Sequence, residues 1–428
     1  MALPTRAPDG PLAGAQLDLE VGPPGHGGFC IARHEGRAVF VRHALPGERV
    51  RALVTEDRGG DFCRADAVEI LAPSPQRVPP PCPHAGPGRC GGCDWQHASG
   101  EAQRQLKSEV VRAAFSRFAG LDVTGLWHGV EALPGGLLSW RTRIAFTVGA
   151  DGVPGLHRHR SHVVEPVRSC PLGVPGVGDS AVLRRAWPGL TAIEAVRGDD
   201  GAISLLAHRA GPGRQARGRR PPDRVEVLDG PARVQHRVGE RSLETAAEGF
   251  WQVHPDAAQT FAAALLDLLE PRAGDTVLEL YCGAGALTVP LADAVGPTGR
   301  VLGVESAAQA VRDAEANLRG LPWAQVRRGR VDAATLADLA TAPDLVVLDP
   351  PRAGAGRQVL AALLDLAPRA IGYVACDPVA LARDVRSALD AGWRLARLRG
   401  FDAFPMTHHV ECLALLVPGR PDAPVAPR

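Results

Sequence analysis

The segment Val277-Leu278-Glu279-Leu280-Tyr281-Cys282-Gly283-Ala284-Gly285-Ala286-Leu287 constrains this chain more than any other. An apolar run ends in glycines that permit a tight turn and close ligand approach, and a helix pattern follows at once. A glycine pair alone is a weak sign, because many strand-to-helix turns use glycine for packing. Its surroundings are stronger. Residues 276–281, 301–305, 345–349 and 370–375 read as strands, and 287–294, 307–318 and 359–366 as helices. Such alternation predicts a parallel sheet with helices on both faces, an α/β Rossmann-like domain. Glu305 ends the second strand, where a carboxylate can accept both hydroxyls of a ribose. Asp349-Pro350-Pro351-Arg352 ends a later strand at the same carboxyl edge, where open α/β sheets bind ligands. Glycine turn, ribose acid and Asp-Pro-Pro together point to S-adenosylmethionine rather than a dinucleotide.

Upstream the pattern changes. Residues 16–21, 28–33, 38–42, 48–55 and 65–71 are short apolar or alternating runs punctuated by Gly, Pro and Asp, as in a small antiparallel barrel. Residues 73–83 are proline-rich beyond what a helix or central strand tolerates, so a linker lies there. In 101–118 apolar side chains recur at three and four, which predicts an amphipathic helix bridging two domains. Pieces at 141–148, 163–167, 202–207 and 224–228 read as strands of a mixed α+β domain. Arg209, Arg214, Arg217, Arg219 and Arg220 stand amid Gly and Pro, a solvated loop or a phosphate-contacting one. The expected divisions are 14–72 for the barrel, 73–100 for knuckle and linker, 101–245 for the central domain, 246–417 for the Rossmann-like domain and 418–428 for a flexible tail.

No stretch is long and apolar enough to span a membrane, and the first residues lack a secretory pattern, so a cytoplasmic monomer without an obligate protein partner is expected. With 48 basic and 47 acidic residues the net charge is +1, and any anionic partner must be recognised locally. In that compartment the nine cysteines are reduced, which makes clustered ones metal or catalytic candidates. Cys82, Cys90 and Cys93 cluster, with Cys170 further on. Four thiolates suit an iron–sulfur cluster or tetrahedral zinc, and spacing alone does not separate the two. Cys30, Cys63, Cys282 and Cys412 read as small core residues.

Across 14–417 the chain resembles the uracil-5 RNA methyltransferases that use S-adenosylmethionine, within their TRAM-domain, iron–sulfur subgroup. The resemblance rests on Phe250-Trp251-Gln252-Val253, the glycine turn, Asp349-Pro350-Pro351-Arg352, Val374-Ala375-Cys376-Asp377-Pro378 and His408-His409-Val410-Glu411, in the family's order. It implies Gln252, Tyr281, Glu305 and Asp349 as donor-binding residues, Cys376 as nucleophile and Glu411 as base. Asp332 is a further candidate to face the adenine. Cys90-Gly91-Gly92-Cys93-Asp94-Trp95 resembles the family's cluster motif and implies a [4Fe-4S] cluster on Cys82, Cys90, Cys93 and Cys170, although the first spacing is two residues longer here. Gly28-Phe29-Cys30-Ile31-Ala32-Arg33 resembles the TRAM barrel, which implies an RNA partner; ribosomal RNA is favoured over transfer RNA by analogy within the family.

The chemistry explains why such residues are needed. Uracil C5 is a poor nucleophile until a thiolate adds at C6, and a base must then remove the C5 proton before the thiol leaves. Two positions depart from the family. Ala286 and Asp377 stand where asparagine is usual, and a carboxylate at 377 is expected to raise the Cys376 pKa unless it turns away. These departures support the rival reading, a weak or inactive RNA-binding or redox-responsive protein on the same fold. Loose, shape-based RNA contact is expected from the few barrel aromatics, Phe29, Phe40 and Phe62, with Arg141, Arg143, Arg158 and Arg160 as candidate phosphate contacts or fold braces.

Overall fold

The computed structural model describes residues 11–211, 223–338 and 342–419. Arg214, Arg217, Arg219 and Arg220 of the arginine-rich loop, and residues 420–428 of the expected tail, lie outside them.

Gln16–Glu20, Pro24–Gly25, Phe29–His34, Arg37–Arg42, Arg49–Asp57 and Phe62–Ala72 join in one six-stranded sheet. Alternation turns Leu17, Leu19, Val50, Ala52 and Val54 to a common interior. Three irregularities in the pairing of Arg49–Asp57 with Phe62–Ala72 bend these long strands and curl the sheet into a barrel.

Ser99 caps the helix Gly100–Ala114 by accepting from the Ala102 N–H at 3.2 Å. Its last turn differs from the expected α-helix, because Phe115–Ala119 is a π-helix that Gly120 ends at φ 62°. On this helix lies Lys107, the chain's single lysine, which is fully buried, ion-paired with Asp402 and bonded to the Phe404 carbonyl at 3.0 Å. The central domain is a six-stranded antiparallel sheet in the order Val164–Pro166, Pro154–His157, Arg143–Val148, Ala192–Arg197, Ile203–Arg209, Arg224–Asp229.

The C-terminal sheet has eight strands in the order Ala324–Arg328, Arg300–Glu305, Thr276–Leu280, Leu345–Leu348, Ala370–Ala375, Glu411–Pro418, Trp393–Asp402, Trp127–Ala132. The first five are parallel, and Leu345–Leu348 and Ala370–Ala375 are buried at every position, as a sheet covered on both faces requires. Trp127–Ala132, expected in the central domain, instead extends this sheet parallel to Trp393–Asp402. Gly400 admits it, since a Cβ there would stand 2.2 Å from the Trp127 indole. Val111, Phe115, Val123 and Trp127 share one apolar cluster with Leu278, Tyr373 and Leu381, so the first part of the 101–245 segment packs with the C-terminal domain. The hairpin Arg233–Val238 and Arg241–Ala246 does likewise, placing Val238 and Leu243 against Phe261 and Leu265.

Candidate active site

Strand register brings the sequence-predicted residues to one edge. Leu280 pairs with Val304 on one side and Leu348 on the other, and Leu348 pairs with Tyr373. Tyr281, Glu305 and Asp349 therefore follow three adjacent strand ends, with Cys376 just beyond the next. Ala375 pairs antiparallel with Cys412, which sets Cys376 opposite Glu411. A thiol and a carboxyl from residues 35 positions apart thus meet through sheet pairing.

Glu411 is only 4 % exposed. Burial pushes its carboxyl well above the usual range, the Asp349 carboxylate adds to the rise, and the Arg352 guanidinium opposes it. Burial also raises the Cys376 thiol to about 11, with Glu411 contributing and Arg352 again opposing. Asp349 is pushed up to about 7 by burial, and Glu279, one strand inward, to about 8 by burial despite its contact with Thr288. Three carboxyls and a thiol at or next to this edge are raised chiefly by burial, a concentration of perturbed groups that marks a candidate functional site.

Arg352 closes the quoted Asp-Pro-Pro-Arg run but carried no assigned role in the sequence reading. Its Nη2 donates to His409 Nε2 at 3.3 Å, and burial together with His408 and Arg352 keeps His409 neutral, near 3. The loop that carries Arg352 is braced by Asp384, whose Oδ2 accepts from Tyr373 Oη at 2.6 Å and the Ala355 N–H at 2.8 Å.

On the donor side, Glu305 accepts from the Gly283 N–H at 3.1 Å and the Ala307 N–H at 2.7 Å, which aims its carboxylate across the glycine turn. Tyr281 holds φ 63°, a left-handed conformation uncommon outside glycine, at the point where strand becomes turn. Gln252 lies in a loop pinned by Thr142, whose N–H and Oγ1 both donate to the Val253 carbonyl. Two residues before it Phe250 is 74 % exposed, a large apolar ring left open to solvent. Asp332 caps the short helix Ala333–Ala337, its Oδ1 accepting from the Thr335 N–H at 2.9 Å.

Asp377 is held by partners other than the thiol. Its Oδ1 accepts from the Val379 and Ala380 N–H groups, capping the helix Pro378–Asp390, and its Oδ2 pairs with His26 Nε2 of the barrel at 3.0 Å. Its charge still raises the Cys376 thiol in the expected direction, by less than burial, Glu411 or Asp349 does.

Cys82, Cys90, Cys93 and Cys170 line one cavity, with Ile144, Leu156 and Val167 supplying apolar walls. Cys93 Sγ accepts from Gln96 Nε2 at 3.0 Å and Cys90 Sγ from the Gly92 N–H at 3.4 Å. Among the described residues no three His, Cys, Asp or Glu side chains are gathered as ligands of one metal ion. The remaining cysteines, Cys30, Cys63, Cys282 and Cys412, are buried singly as expected.

On the barrel, Phe29, Phe40 and Phe62 stack with ring centroids 4.5 and 4.8 Å apart, and Arg64 lies 4.9 Å from the Phe62 ring. Phe40, the middle ring, is covered on both faces by the other two. Arg143 is a fold brace, paired with Glu194 and donating to the Ala247 and Gly249 carbonyls. Arg158 pairs with Glu165 at 2.8 Å and Arg160 faces Glu56 at 3.7 Å. No described helix is long and apolar enough to cross a membrane.

Comparison with known proteins matches this architecture. The family described as tRNA (uracil-5-)-methyltransferase matches residues 233–418, and the TRAM domain matches 12–68. An RNA methyltransferase of Streptomyces coelicolor, itself called uncharacterized, is 47% identical over 95% of this chain and 94% of its own. The 23S rRNA (uracil(1939)-C(5))-methyltransferase of Edwardsiella ictaluri is 31% identical over 91% of this chain and 92% of its own. Among solved structures, the Pyrococcus abyssi tRNA (uracil-54, C5)-methyltransferase with S-adenosyl-L-homocysteine has a TM-score of 0.69 at 19% identity, covering 94% of this chain and all of that one.

Proposed function

This chain belongs to the TRAM-domain RNA (uracil-5-)-methyltransferases, which take their methyl group from S-adenosylmethionine, and on that premise we propose its target, its chemistry and the residues that carry them. The target is C5 of a uridine in 23S ribosomal RNA, supported by the relative from Edwardsiella ictaluri over nine-tenths of both chains.

One observation carries the chemistry: Cys376 and Glu411 face each other across paired strands with Arg352 acting on both. The Cys376 thiolate adds to C6 and the electron pair moves to C5. C5 attacks the methyl carbon of the sulfonium, the methyl–sulfur bond breaks and S-adenosylhomocysteine leaves. Glu411 as carboxylate then takes the C5 proton, the C6–S bond breaks and the thiolate returns. Burial raises the pKa of both groups, which makes their anionic forms the costly ones. A sulfonium entering a pocket bounded by Asp349 and Glu411 favours those forms, and Arg352 favours them permanently. Gln252, Tyr281, Glu305 and Asp349 hold the donor, with Glu305 on the ribose. Retention of all these groups argues against an inactive binding protein on the same fold.

Cys82, Cys90, Cys93 and Cys170 hold a [4Fe-4S] cluster in this reading. Four thiols lining one cavity with apolar walls are the donor set such a cluster takes. When bound, the cluster supplies a cross-link between the knuckle and the central domain. Methyl transfer moves no electron, and no step passes through it.

Purified protein given labelled donor with 23S rRNA or transfer RNA tests the target. Label at one uridine of 23S rRNA is expected, and label in transfer RNA alone would overturn the ribosomal assignment.

A further inference from the structure

Asp94 follows directly on Cys93, yet its side chain does not serve the knuckle. It is buried, and its Oδ2 accepts from His408 twice, from Nδ1 at 2.6 Å and from the backbone N–H at 3.0 Å. Its Oδ1 accepts from Arg42 Nη2 of the barrel at 3.3 Å. Its own N–H and that of Trp95 both donate to the Met406 carbonyl, at 2.9 and 3.0 Å. Gly28 of the barrel leaves the space, because a Cβ there would stand 2.5 Å from the Asp94 carboxyl carbon. Met406 is held in a left-handed conformation, φ 68°, and its N–H donates to Gln103 Oε1 at 2.7 Å. The 403–410 segment is therefore clamped from the knuckle by Asp94 and from the helix Gly100–Ala114 by Gln103 and Lys107.

That segment leads into the base. His408 packs on His409 with ring centroids 4.1 Å apart, His409 accepts from Arg352, and Glu411 follows two residues later. The path from Cys93 runs through Asp94, His408 and His409 to Arg352 by a peptide bond, hydrogen bonds and a ring contact, and Arg352 reaches the reacting pair by its charge alone.

We propose that Asp94 is a positioning residue for proton abstraction, joining the cysteine knuckle to the Arg352–Glu411 side of the active site. It rests on the covalent reading above. When the join is cut, the thiol still adds and the methyl group still moves, but the C5 proton leaves slowly. The methylated RNA then stays bonded to Cys376.

The test gives holoenzyme methyl-labelled donor and ordinary uridine-containing 23S rRNA. Asp94→Ala is expected to keep its iron content and donor affinity while accumulating labelled, denaturation-resistant protein–RNA adduct, with product release slowed about 100-fold, the scale of a lost general base. Asp94→Asn keeps an oxygen for His408 and is expected to release product at an intermediate rate. Should Asp94→Ala fail to fold, His408→Ala cuts the same link from the other side and is expected to give the same labelled adduct. Wild-type release rates in the folded variants would overturn the proposal. So would slow turnover with no labelled adduct in a variant that is still trapped by 5-fluorouridine RNA. If the wild type itself is not trapped by 5-fluorouridine RNA, it is the covalent reading that fails, and this inference with it.

Discussion

The candidate catalytic edge and the cysteine knuckle both present half-buried thiols, and they differ in what surrounds the sulfur. Cys376 stands alone at a strand end with Glu411 opposite and Arg352 beside it. In the knuckle, burial raises Cys90, Cys93 and Cys170, the thiols add to one another's rise, and the Arg141 guanidinium opposes it at Cys170. In the proposed reading, one thiol facing a carboxyl able to take a proton suits a sulfur that becomes an anion briefly and reverts. Several thiols lining one cavity and raising one another's pKa suit a cation that stays. On that reading, environment divides one functional group between two jobs.

Breaking each side separately gives the largest expected effect. Cys376→Ala is expected to lower methyl transfer by at least about 10⁴-fold while leaving iron content and donor affinity unchanged. Cys170→Ser is expected to do the reverse in kind, losing iron and lowering the thermal midpoint while Cys376 still adds to 5-fluorouridine RNA in the folded fraction. Iron analysis, thermal unfolding and a labelled-methyl assay on both variants check the contrast. Iron loss in Cys376→Ala would merge the two regions into one unit.

A middling effect concerns pH. The Asp349 carboxyl, held near 7 by burial, must be ionised to attract a cationic donor. Binding therefore requires loss of a proton below about pH 7, and the donor's Kd is expected to rise about tenfold per pH unit below that value and to stay flat above it. In Asp349→Asn the pH dependence disappears along with most of the affinity. Calorimetry across the range checks both.

The smallest effect lies at Asp377. Asparagine there keeps the helix cap, so Asp377→Asn is expected to change turnover less than about threefold and stability by only a few tenths of a kcal/mol. A tenfold gain in thiol reactivity would instead show that the carboxylate acts strongly on Cys376.

What the sequence made legible follows from how far each contact reaches. The glycine turn, the strand ends at Glu305 and Asp349, and the five expected barrel strands are local patterns, and the structure places them within three residues of their expected bounds. The motif order brought Cys376 and Glu411 into one reading, and sheet register places them opposite each other. Trp127–Ala132 went unrecognised as part of the catalytic sheet because its partner, Trp393–Asp402, lies more than 260 residues away and parallel pairing leaves no local turn signal. Asp94 and His408, 314 residues apart, are joined the same way. One partner of Asp377 is His26 in another domain, which no spacing rule connects to it.

The covalent role of Cys376 is tested most directly by incubating the enzyme with donor and RNA carrying 5-fluorouridine at the target position, then locating the modified peptide by mass spectrometry. Fluorine at C5 cannot leave as a proton does, so the account predicts a stable adduct joining methylated RNA to Cys376. RNA bonded to any other residue, or methyl transfer to ordinary uridine by an enzyme that forms no adduct at all, would contradict it.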